Sequence, residues 1–253
     1  MRIPYGLFMG LAAAGFITSA AGQSGTGLAR FRPAVTLQTG FAPTFQLNLG
    51  GTFGDGPAWQ NRAIVDFSNV AARGDAITVN GWMTLDTPSH RRDWIAGIGY
   101  RAPAWRVGRG SLAVTAGWQR WLFPSVLGGV RDHLVALNGV YRTQWRLPMA
   151  VTADHWVILK SPLKKGNLTL VQASVAHQLF EGRGLRLVLR HGPSTSYSHE
   201  FWDRPGWRVF RYGGSLSLEA KGYTLEGALR QQAGIAPRVP DNTYWSVLLS
   251  RRL

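Results

Sequence analysis

The chain contains no cysteine among its 253 residues. That excludes disulfides, thiol catalysis and cysteine-bound metal. Beyond the first residues it has no long apolar run, so it is not a helical membrane protein. It also has no helix-period apolar stretch of useful length. Charged residues are sparse at 16% and acids are the scarcer kind, 13 Asp and Glu against 28 Lys and Arg. Aromatics are plentiful, with 11 Trp, and a disordered chain would lack them. Glycine is abundant at 31 residues.

The first residues read MRIPYGLFMGLAAAGFITSAAGQSG. Arg2 is a short positive region, an apolar stretch runs from Ile3 to Ile17, and Ser19-Ala20-Ala21 fits a small-x-small cleavage rule. The expectation is a secretory signal peptide over residues 1–22. The competing reading, an N-terminal anchor, fits less well because the run is shorter than the ~18 residues a spanning helix needs.

What fills the rest is alternation with a period of two. AITVNGWMTLD sets Ile77, Val79, Met83 and Leu85 against Thr78, Asn80, Thr84 and Asp86. GLRLVLRH sets Leu185, Leu187 and Leu189 against Arg186 and Arg190. TYWSVLLSRRL sets Trp245, Val247 and Leu249 against Tyr244, Ser246 and Ser250. About twelve such segments recur, each of about ten residues, the length of a tilted strand crossing a bilayer. The first is TFQLNLG, starting near Thr44; PAVTLQTGF, Pro33 to Phe41, alternates less cleanly. The connections alternate between tight turns, such as Ala220 to Gly222, and longer stretches, such as Gly192 to Gly206.

Short turns at one end and loops at the other predict an all-β fold, an antiparallel up-and-down transmembrane barrel of about twelve strands, or fourteen if Pro33 to Phe41 gains a partner. The expected organisation is residues 1–22 as signal peptide, 23–42 as an N-terminal segment in the periplasm or lumen, and 43–253 as the barrel. The last strand is expected to close on the first, leaving no edge in lipid. A soluble sandwich or lipocalin-like barrel is the competing fold; it fills its interior with apolar side chains. Here the face opposite each apolar stripe is charged.

The terminal strand, 243–253, resembles the C-terminal signal of bacterial outer-membrane barrels. Leu253 and Leu249 occupy its apolar positions, and Arg251 departs from it. The resemblance implies outer-membrane localisation, a lipid bilayer and lipopolysaccharide as surroundings, and the barrel-assembly machinery as the partner that reads residues 243–253. Trp59, Trp94, Trp121, Trp145, Trp207 and Trp245 fall near strand ends, as in an interfacial aromatic girdle.

The inward face is expected to carry Arg62, Asp66, Asp86, Arg101, Arg142, Asp154, Arg186, Arg190, Arg211, Glu219, Glu226 and Arg230. Basic rings in a pore select anions. The leading expectation is therefore a small-solute channel with a basic lumen. The alternative is that these arginines and acids pair and fill the lumen. Two further readings stand beside it. One is a lipid- or lipopolysaccharide-modifying hydrolase using the 192–206 stretch, with His191, Ser194, Ser196, His199 and Glu200 as its candidates and Ser198 and Asp203 beside them. That stretch has no GxSxG motif. The other is a closed barrel that binds a ligand or partner through its loops. His199, Glu200 and Asp203 make a weak metal set, and His155 and His177 fall on apolar faces as packing or interface residues. No metal, cofactor or nucleic acid is expected; GQSGTGLAR lacks the Lys-Ser/Thr of a phosphate loop, and the arginines are scattered along strands.

Overall fold

The structure is a computed structural model that describes residues 32–43, 45–46, 52–53, 57–86, 92–124, 129–143, 147–163, 165–237 and 239–253. The expected signal peptide lies outside the described residues. The described chain forms β1 (Arg32–Ala42), β2 (Phe45–Gln46), β3 (Thr52–Phe53), β4 (Ala58–Ser68), β5 (Ala76–Asp86), β6 (Arg92–Arg101), β7 (Trp105–Val107) and β8 (Gly110–Phe123). It continues with β9 (Val130–Thr143), β10 (Met149–Lys160), β11 (Asn167–Gly182), β12 (Leu185–His199), β13 (Gly206–Ala220), β14 (Tyr223–Gly234) and β15 (Asn242–Arg252).

Twelve of these, β1, β4–β6 and β8–β15, pair antiparallel in a closed ring, with β15 returning to β1. β7 is an extra strand on β8, and β2 and β3 pair apart from the barrel. Among the described residues no helix is long and apolar enough to cross a membrane. Strands do the crossing, and closure leaves the ring without an unpaired edge strand.

The first strand corrects the sequence reading. The barrel begins at Arg32, not near Thr44, so residues 32–42 belong to its wall rather than to a segment outside it. β1 pairs with β4 from Arg32↔Ser68 to Ala42↔Ala58, and with β15 from Thr36↔Arg252 to Phe41↔Val247. Of TFQLNLG, only Phe45–Gln46 is described as strand, paired with Thr52–Phe53, and residues 47–50 lie outside the described residues. Twelve strands result without a fourteen-strand alternative.

Turn chemistry fixes one end. Arg183-Gly184 and Lys221-Gly222 each hold both residues at positive φ (51° and 76°, 47° and 82°), the two-residue turn whose twist matches a hairpin. In the β4–β5 turn, Asp75 accepts N–H bonds from Val70, Ala71 and Ala72 and an O–H bond from Tyr100. The β6–β8 connection holds β7, which explains why Pro103 to Arg109 is longer than the other short turns. By the outer-membrane arrangement the short-turn end is periplasmic and the loop end extracellular.

The two faces of the wall separate as the alternation requires. Leu225, Leu229, Trp245, Val247, Leu249, Ile98 and Leu137 are exposed on the outer face, Leu229 by 59%. The opposite face carries the buried cluster Trp121, Phe123, Val130, Leu134, Ile158 and Leu168, joined by Phe201 and Trp202. Residues from four strands and one loop meet in that cluster, which is possible only inside the ring.

Candidate functional site

The inner wall has two unlike regions. Twelve strands about 4.8 Å apart and tilted about 40° enclose a backbone cylinder about 24 Å across. That width holds a packed cluster on one side with space left over on the other.

The first region is an aromatic plug at the loop end of β8–β11. The sequence reading missed it. Between β12 and β13 the chain makes a one-turn 3-10 segment, Phe201–Asp203, that folds into the barrel. Phe201 and Trp202 are buried. Trp121 packs 6.0 Å from Phe201 and 6.1 Å from both Trp202 and Trp156; Trp82 of β5 reaches Phe123 at 6.5 Å. The Trp202 Nε1–H donates to Asp132 Oδ2 at 2.6 Å. Glu200 and Trp202 take left-handed φ values of 56° and 53°. Each such residue costs on the order of 1–2 kcal/mol, and the aromatic contacts hold the turn against that strain. Gly166 permits the approach: a Cβ there would lie 2.2 Å from the His199 carbonyl oxygen and 2.5 Å from the Glu200 carbonyl carbon.

The second region is an arginine wall on β12–β14. Register sets Arg186 opposite Glu219, Ser194 opposite Arg211, and Gly213 opposite Arg230. Arg186 and Arg190 share Glu219 at 3.5 and 3.6 Å, and Arg190 also donates to Ser217 Oγ at 2.5 Å. Arg211 Nε donates to Gln232 Oε1 at 2.9 Å. Arg190, Arg211 and Arg230, with Glu226, Gln172 and Ser194, line a recess of about 160 Å³. Gly213 floors it, since a Cβ there would lie 2.3 Å from the Leu229 carbonyl oxygen and 2.8 Å from Arg230 Cγ. Arg186, Arg190, Arg211 and Arg230 face Glu219 and Glu226 on these strands, and Arg208 of β13 is buried as well, so the wall is net positive. The Arg186 and Arg190 side chains remain 47% and 39% exposed, so water reaches them.

Of the other residues expected inside, Arg62, Asp66, Arg101, Arg142 and Asp154 occupy the same inward register. Thr78 donates to Asp66, and Asn138 donates to Asp154 at 2.6 Å. Arg62 on β4 and Asp154 on β10 place opposite charges on nearly opposite sides of the ring. The side chain of Asp86 lies outside the described residues.

The hydrolase candidates do not assemble. The 192–206 stretch is not a loop through most of its length: β12 runs to His199. Ser194 and Ser196 are buried on the inner face, while His191 points outward, so one strand's pleat separates them. The ring of His191 is engaged elsewhere, with Nε2 3.1 Å from His177 Nε2 and Nδ1 3.1 Å from Tyr212 Oη. His199 and Glu200 are exposed at the loop end, and the side chain of Asp203 lies outside the described residues. Among the described residues no three His, Asp or Glu gather as a metal set.

The tryptophans divide. Trp59, Trp94, Trp207 and Trp245 are exposed on the outer face, with Phe41 5.2 Å from Trp59 and 5.9 Å from Trp245. Trp121 is not a girdle residue, because its odd register on β8 points it into the plug. Trp145 lies outside the described residues.

No protein-family profile matches the chain, and no curated relative matches it. Solved structures do. The chain is similar to the β domain of the Bordetella autotransporter BrkA, at 13% identity and a TM-score of 0.50 over 87% of this chain and 99% of that one. It is similar to LpxR from Salmonella typhimurium, at 6% identity and a TM-score of 0.51 over 86% and 99%. A KdgM porin matches at 8% identity and a TM-score of 0.48 over 86% and 98%. Identities this low speak to the fold alone.

Proposed function

For a closed β-barrel of the bacterial outer membrane with this lumen, we propose passage of small anionic solutes along the arginine wall. The observation that supports it is the surplus of positive charge on this wall, Arg186, Arg190, Arg211 and Arg230 against Glu219 and Glu226, with Arg186 and Arg190 open to water and Arg211 buried behind them. Rings of basic side chains attract anions, and an enclosed polar passage strengthens that field. The plug restricts the passage to one side of the lumen and sets its size limit.

A second reading is a closed barrel that holds an anionic ligand in the recess without conducting it. The Phe201–Trp202 plug and the opposite charges of Arg62 and Asp154 on facing sides of the ring favour it. Planar-bilayer recording of the refolded chain separates the two. Discrete conductance steps support passage. A silent, fully folded and inserted barrel rejects passage and leaves the binding reading.

A further inference from the structure

The outer wall carries a second basic site, unrelated to the lumen. At the loop end of β6, β8, β9 and β10 an open groove of about 950 Å³ is lined by Arg92, Arg120, Arg131 and Lys160 over Trp94 and Leu122. Register assembles it from two cross-strand rows. Trp94, Leu122 and Arg131 stand abreast, and one step nearer the short-turn end Ala96, Arg120, His133 and Lys160 stand abreast. Lys160 joins the row because the register shifts between Ile158 and Lys160, which turns an otherwise inward position outward. Side chains directly opposed on neighbouring strands are within about 5.5 Å at Cβ, so Arg120 and Lys160 flank His133, Arg131 stands beside Leu122, and Arg92 lies at the rim of the same groove.

The cations lack acids. The sequence pairs Arg92 with Asp93 and Arg131 with Asp132, but the pleat sends each arginine outward and each aspartate inward. Arg92 and Arg131 are exposed, while Asp93 and Asp132 are buried at 1% and 0%. Among the described residues none of the four groove cations makes an ion pair. At the same end of the other strands the outward positions are neutral: Phe41, Trp59, Tyr197, Trp207, Gln231 and Thr243. Among these strand positions the charge is therefore confined to β6 and β8–β10. Below it, toward the bilayer centre, the same strands turn apolar with Ile98, Trp118, Val135 and Leu137.

We propose that this groove binds the phosphorylated headgroup of an outer-leaflet glycolipid. Arg120, Arg131 and Lys160 take phosphate, Arg92 closes the rim, and the acyl chains descend over Trp94, Trp118 and Leu137. Guanidinium forks suit phosphate oxygens, and the loop end is where headgroups lie. The chemistry favours a lipid over a free anion, because the cations stand directly above an apolar surface that free phosphate does not use.

The test is lipid binding by the refolded full barrel in neutral detergent, with purified bisphosphorylated lipid A as probe and native mass spectrometry as readout. Bound lipid A is expected to resist delipidation, and the dephosphorylated lipid is expected to bind at least ten-fold more weakly. Arg120→Gln/Arg131→Gln/Lys160→Gln is expected to lose ten-fold or more, while the control Arg106→Gln/Arg251→Gln, two exposed arginines at the short-turn end, binds as wild type. Should the triple variant not fold, Arg131→Gln alone is expected to lose about three-fold. Undiminished binding by the folded variants overturns the proposal, as does equal affinity for the dephosphorylated lipid. Displacement of the lipid by millimolar inorganic phosphate also overturns it, in favour of a free-anion site.

Discussion

The two sides of the lumen are built from the same kind of strand and filled by opposite means. At the loop end of β8–β11 the inward positions are Trp121, Phe123, Leu134, Trp156 and Ile158, and a turn from the β12–β13 connection completes the packing with Phe201 and Trp202. On β12–β14 the inward positions are Arg186, Arg190, Arg211, Arg230, Glu219 and Ser217, joined by ion pairs and single hydrogen bonds. One side is a protein core placed inside a membrane barrel; the other is a charged and polar wall, open to water at Arg186 and Arg190 and buried at Arg211 and Ser217. A barrel of this width does not have to choose between being filled and being open, because each side of its wall can do one of these.

The largest effect is expected from breaking the plug. Phe201→Ala or Trp202→Ala removes a buried aromatic side chain, at a cost of about 3–5 kcal/mol each. Trp202→Ala also removes the indole donor to Asp132. Urea unfolding in detergent is expected to show that loss, and single-channel conductance to rise as the cluster opens. A barrel with unchanged stability would mean that the plug is not structural. Gly166→Ala tests the same side without removing a contact. Its methyl would strike the backbone of His199 and Glu200, and the expected cost is about 1–3 kcal/mol with a partial rise in conductance. A thermal midpoint equal to wild type would show that the loop yields freely.

A smaller effect is expected away from both sides, in the β4–β5 turn. Burial alone would raise the Asp75 carboxyl, but N–H bonds from Ala71 and Ala72, the Tyr100 hydroxyl and the Val70 N–H outweigh it, and its pKa is lowered. A lowered carboxylate pKa contributes stability above the unfolded value and loses it as pH falls through the folded one. Wild-type stability should therefore drop in acid below the usual carboxylate range. Asp75→Asn should be less stable than wild type at neutral pH and lose less on acidification. Parallel pH profiles for the two proteins would contradict this.

The outer face was legible in the sequence because a period of two is a local signal. Leu185, Leu187 and Leu189, or Trp245, Val247 and Leu249, declare their shared face without any knowledge of neighbours. The first strand was not legible, because its identity depends on closure. Val35, Leu37 and Phe41 alternate with Thr36, Gln38 and Gly40, a weaker pattern than TFQLNLG, and only pairing with a strand some 200 residues later marks it as wall. The plug left a trace that went unused. On β8 and β10 both faces are apolar near the loop end, at Trp121-Leu122-Phe123 and Trp156-Val157-Ile158, which a lumen of uniform polarity would not require. The outer groove left one as well, in the two Arg-Asp pairs at the starts of β6 and β9.

Under the proposed function the arginine side of the lumen carries passage and sets its preference. The most direct test is the reversal potential of the refolded barrel in a planar bilayer under a potassium chloride gradient, compared with Arg190→Gln/Arg211→Gln. Lumen substitutions tune selectivity more than stability. The wild type is expected to reverse on the chloride side of zero, and the double variant to shift measurably toward potassium while remaining folded. An identical reversal potential for the two proteins would contradict the claim, and would make the arginines partners of Glu219, Ser217 and Gln232 rather than a selective surface.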